Sequence, residues 1–96
     1  MQFGERIREL RESQGLLQRQ LAASLEIDTP MFSKIERGER RAKREQVLLL
    51  AQLLNTNQQE LLSFWLADQI IELIKGEEAA SIALSIVNKE LKSQNV

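Results

Sequence analysis

Apolar positions along this chain recur at helical rather than strand spacing. Phe3, Ile7 and Leu10 stand at i, i+4 and i+7, the interval that lays side chains on one face of a 3.6-residue turn. The run stops at Ser13-Gln14-Gly15, so the spacing predicts a first helix over about residues 2–13. A short amphipathic stretch follows at Gln18–Leu25, with Leu21, Ala22 and Leu25 on one side, and Glu26-Ile27-Asp28 makes a tight connection. The next helix begins near Thr29-Pro30. Asp28 or Thr29 can cap it by accepting from first-turn amides, and Pro30 is tolerated there because those amides have no helical partner. Phe32 and Ile35 face inward, and Gly38 ends the helix in a left-handed conformation that other residues resist.

A fourth helix is predicted over about Arg44–Leu54, with Val47, Leu50, Ala51 and Leu54 inward, and Asn55-Thr56-Asn57 breaks it. Asn57 followed by Glu60 forms a capping-box-like start to a fifth helix, running from Gln58 to about Lys75 and ending at Gly76. Glu77–Ser93 reads as a sixth, with acidic residues at its start, where the helix dipole favours them. No strand alternation and no low-complexity segment appears, so the expected fold is all-α.

The fifth helix is apolar nearly all round. Leu62, Leu66, Ile70 and Leu73 mark one side, and Leu61, Phe64 and Ile71 another. Such a helix sits between two partners. One is the preceding core, in which Trp65 is expected to take part. The other is the sixth helix, through Ala80, Leu84, Val87 and Leu91 at i, i+4, i+7 and i+11. A second stripe on the sixth helix, Ala79, Ile82, Ala83 and Ile86, has no obvious partner in the chain. It is expected to be a dimer surface at Ile82, Ala83 and Ile86. A wholly intramolecular six-helix core and a groove for another protein are the competing readings.

Composition narrows the chemistry. The chain has 96 residues, which suits one domain. It has no Cys and no His, so thiolate metal sites, disulfides, imidazole bases and Ser/His/Asp triads are excluded. Gly4, Gly15, Gly38 and Gly76 are too far apart for a phosphate-cradling loop. An enzyme would have to work with carboxylates such as Glu77 and Glu78. Neighbours on a helix start point about 100° apart and read instead as dipole complements. No catalytic residue, cofactor or metal is therefore expected. The opening MQFGERIREL carries charge at once, and no apolar run approaches the roughly 18–20 residues of a membrane span. A cytoplasmic protein without a membrane partner is expected.

Net charge is −1, yet its distribution is uneven. Residues 1–44 hold ten Lys/Arg against seven Asp/Glu, and residues 45–96 hold three against seven. Within Lys34–Arg44 six positive residues face two negative ones. This is a local basic footprint that the overall charge hides.

Two short helices joined by about three residues, the second capped at its start and ended by Gly, describe a helix-turn-helix or a generic helical hairpin. Here the stretch GLLQRQLAASLEIDTPMFSKIERGER, with RIRELRESQGL before it, resembles the Cro/C1-type repressors of the XRE family. The Leu21-Ala22 pair and Ile35–Gly38 (IERG) carry the likeness, which covers residues 3 to about 62. The short chain with two extra helices is also similar to the small controller regulators found beside restriction–modification genes. The resemblance implies a five-helix lambda-repressor-like domain over residues 1–62, with its helix-turn-helix at 18–37. Residues 63–96 would then be a helical extension packed with it as one unit and used for dimerisation.

The resemblance also implies that the helix 29–37 enters the major groove of double-stranded DNA. With Phe32 and Ile35 inward, Thr29, Pro30, Ser33, Lys34 and Arg37 point to the bases. Lys34 can reach guanine O6/N7, Ser33 can donate or accept, and Thr29 and Pro30 offer apolar contact to a thymine methyl. Arg11, Gln18, Arg37, Arg40, Arg41, Lys43 and Arg44 are the expected phosphate contacts, which set register without reading sequence. Arg11 and Glu36 are implied to form an ion pair between the first helix and the end of the third.

Three residues depart from the pattern. Leu17 stands where a capping side chain usually begins the second helix, Glu26 replaces the usual turn glycine, and Pro30 removes one possible Gln base contact. The reading is a dimeric, sequence-specific transcriptional regulator. The alternative is an antitoxin-like protein that binds a partner through its C-terminal helices.

Overall fold

A computed structural model of the chain describes residues 2–94. It contains α1 (Gln2–Ser13), α2 (Gln18–Ser24), α3 (Thr29–Glu36), α4 (Arg44–Leu53), α5 (Gln58–Ile74) and α6 (Ala80–Gln94), and no strand among the described residues. The fold is all-α, as the periodicity requires, and the first five helices lie within about a residue of the expected bounds.

The core gathers one face of each of the first five helices. Phe3 and Ile7 of α1, Leu21 of α2, Phe32 and Ile35 of α3, Val47 and Leu50 of α4, and Leu61 of α5 are all buried. Each such side chain contributes roughly 1.5–3 kcal/mol on leaving water. α2 packs on α3, α1 on both α3 and α5, and α4 on α5.

Helix ends are set by local chemistry. Asp28 Oδ1 accepts from the Met31 amide at 2.8 Å and so caps α3, while Asn57 Oδ1 accepts from the Glu60 amide at 3.0 Å and caps α5. α1 is closed from far away. The carboxylate of Asp68, on α5, accepts from the Gln2 and Phe3 amides at 2.9 and 3.0 Å, which satisfies two first-turn donors that have no helical acceptor. Gly4 lets α1 approach the end of α3, because a Cβ there would lie 2.3 Å from the Glu36 carbonyl oxygen.

The C-terminal helices differ from the expectation. α6 begins at Ala80, after the acidic pair Glu77 and Glu78, and holds no buried residue. Leu84, Val87 and Leu91, expected to pack on α5, are exposed. On α5 itself the first half is buried at Leu61 and Leu62, whereas Leu66, Ile70, Ile71 and Leu73 are exposed. Among the described residues from 63 to 94, only Asp68 is buried. The Lys75–Ala79 connection, with Gly76 at φ 77°, does not fold α6 back onto its own chain.

Candidate nucleic-acid interface

The outward face of α3 follows from what its inward face does. Phe32, Ile35 and Glu36 are buried. At about 100° per residue the opposite surface is Pro30, Lys34 and Arg37, flanked by Thr29 and Ser33. Thr29, Pro30, Lys34 and Arg37 are exposed and Ser33 is half-buried. The five residues expected to face bases thus share one side of one helix. Pro30 lies in the first turn, where its missing amide proton costs nothing.

α3 is held in place from behind. Arg11 donates from Nε to Glu36 Oε2 at 2.7 Å and from Nη2 to Glu36 Oε1 at 3.1 Å, a two-pronged pair whose side chains are only 12% and 3% exposed. The hydrogen-bonded carboxylate raises the Arg11 pKa above its already high ordinary value. Arg11 Nη1 also donates to the Leu16 carbonyl at 3.0 Å, and Gln18 Nε2 donates to Glu36 Oε1 at 2.9 Å. One buried carboxylate therefore ties α1, the α1–α2 turn and the start of α2 to the end of α3. Gln18 and Arg11, expected at phosphates, are half-buried here and engaged with Glu36. Their remaining donors line an open groove with Glu5, Arg8, Ser33 and Arg37.

Arg37 is engaged as well, through Nε to Glu39 and Nη1 to Ser33 Oγ. That hydrogen bond and charge hold the Glu39 carboxyl below the usual carboxylate range. Glu39 was not expected at the site. Its only sequence signal is an acidic residue in an otherwise basic run.

The basic loop has its own support. α3 ends in a Schellman motif: the Gly38 amide donates to the Ile35 carbonyl at 3.1 Å and the Glu39 amide to the Lys34 carbonyl at 2.9 Å, with Gly38 at φ 75°. Beyond it Ala42 is buried, and Trp65 Nε1 of α5 donates to the Ala42 carbonyl at 2.8 Å. The Arg44 guanidinium lies 5.2 Å from the Trp65 ring centroid, a cation–π distance. Arg40, Arg41, Lys43 and Arg44 are all exposed on this pinned segment. Trp65, with a polar tip bonded to the loop, is a site-supporting residue that periodicity alone reads as core.

Among the described residues no group of three or more acidic side chains is placed to hold a metal ion. No helix there is long and apolar enough to cross a membrane. In a comparison with known proteins, the family model described as a helix-turn-helix domain matches residues 2–64. No curated protein and no solved structure matches the chain.

Proposed function

The chain belongs to a helix-turn-helix family, a motif built to dock on DNA, and from that premise we propose that it is a sequence-specific transcriptional regulator of the XRE type. The observation that carries this reading is the exposed stripe of Pro30, Lys34 and Arg37 on α3, continuous with the exposed loop arginines Arg40 and Arg41. In the bound state Lys34 and Ser33 read base edges in the major groove, with Thr29 and Pro30 against a thymine methyl. Arg37, released from Glu39, joins them or reaches a phosphate. Arg40, Arg41, Lys43 and Arg44 follow the backbone, and Gln18 with the Arg11–Glu36 pair fixes the docking angle.

One such unit reads few base pairs. Two units related by a two-fold axis read half-sites about 34 Å apart, one helical turn. The proposed contact between copies is the Ile82, Ala83 and Ile86 stripe of α6, all of it exposed in the single chain. Occupying an operator then blocks or recruits polymerase, in the cytoplasm, with protein abundance as the control.

Selection of bound sequences from a random duplex pool at about 150 mM salt tests this, since phosphate-only binding weakens steeply at that salt. An inverted repeat with half-site centres about one turn apart is the expected result. Recovery of no preferred sequence would contradict it.

A further inference from the structure

α6 is an arm without a seat in its own chain. The Cα radius of gyration is 15.4 Å, whereas a compact chain of this length has about 12.5 Å. The accessible surface is 6870 Å² for 11.0 kDa, against about 5,600 Å² for a compact monomer of that mass. The excess, roughly 1,300 Å², is at least the ~800 Å² that each partner contributes to a standard interface. It is also apolar in one place: of the large hydrophobic side chains that stay exposed among the described residues, all but Leu17 lie from Leu66 to Leu91.

The pattern on α6 says how many neighbours it needs. At about 100° per residue, the aliphatic side chains from Ile82 round to Leu84 span some 200°, with Glu90 the one charged residue among them, about twice the stripe that faces a single partner. α5 in turn offers Leu66, Ile70 and Leu73, at i, i+4 and i+7, turned away from the core and exposed. The chain thus holds an apolar helix and an apolar seat that do not meet each other. Extending the two-fold reading proposed above, on which this rests, we infer that a second copy of this chain joins them by exchange. The Leu84, Val87 and Leu91 side of each α6 lies on the α5 stripe of the other copy. The Ile82, Ala83 and Ile86 side meets its own equivalent across the axis, so that α5 and α6 of both copies form a four-helix bundle.

The test is photo-crosslinking of the full chain carrying Val87→p-benzoylphenylalanine, with Leu84→p-benzoylphenylalanine as a second site. The chain mass of the product separates adducts between copies from adducts within one. Exchange predicts a product of twice the chain mass whose adduct maps to residues 66–73. A product of single-chain mass joined to those residues means α6 folds back on its own α5, and overturns the exchange. So does a double-mass product joined only through α6, a product from neither site, or a single-chain mass in sedimentation at micromolar concentration. The duplex selection separates this from the functional reading. An enriched inverted repeat without an α5–α6 adduct between copies defeats the exchange alone, and no enriched sequence defeats the regulator.

Discussion

Arg11 spends three donors inside the protein, two on Glu36 and one on the Leu16 carbonyl, so its first task is to neutralise a carboxylate buried at the end of α3. Removing one partner of such a pair strands the other, which is far costlier than the pair is stabilising. Arg11→Met is expected to cost about 3 kcal/mol, and thermal unfolding should show it as a fall in Tm of roughly 10–20 °C. Adding Glu36→Leu should recover part of that loss, because an apolar pair leaves no stranded charge. Glu39 acts in the opposite sense at the surface. It occupies Arg37 and places a negative charge on the proposed DNA-facing side. Glu39→Gln should tighten binding to any duplex by about two- to fivefold and steepen its salt dependence, as removal of an opposing rim charge does. Unchanged affinity in an anisotropy titration would mean that Arg37 does not contact DNA.

At the scale of elements, α1 to α4 end alike. After each, a residue of positive φ is followed by an amide that reaches back five residues to a carbonyl: Gly15, Glu26, Gly38 and Asn55 hold that position. Three of them are Gly or Asn, which adopt it at little cost, and Glu26, at φ 59°, does not. Glu26→Gly should raise stability by about 1 kcal/mol, read as a higher urea midpoint with an unchanged slope. Leu17 lacks a capping side chain, but Gln20 Oε1 accepts from its amide at 2.7 Å and supplies half of a capping box. These ends were legible in the sequence because each depends on residues within one turn. Asp68 capping α1, Gly4 clearing the Glu36 carbonyl, and Trp65 holding Ala42 were not legible. Each joins positions more than twenty residues apart, and neither periodicity nor turn chemistry carries that information. The stop of α3 at Gly38 could be read in advance. The support beneath the loop that follows it could not.

For the whole molecule, the uneven charge and the uneven apolar surface have separate explanations. The basic excess of the first half lies on α3 and the loop after it, and the exposed aliphatic side chains other than Leu17 lie on α5 and α6. The helical stripes of α6 were visible in its spacing, but which chain they face was not, since periodicity reports a buried face without naming its partner. The proposed function implies a division of labour, in which the outward residues of α3 distinguish sequences and the pinned basic loop only holds DNA. The most direct test compares Lys34→Ala with Arg41→Gln on the duplex selected by the unaltered protein and on a scrambled one, across a salt series. Lys34→Ala should weaken only the selected duplex, by about 1–3 kcal/mol, and leave the salt slope nearly unchanged for the scrambled one. Arg41→Gln should weaken both equally and lower the slope by about 1. If Lys34→Ala instead weakened both duplexes alike, α3 would be another backbone contact and the reading of sequence would lie elsewhere.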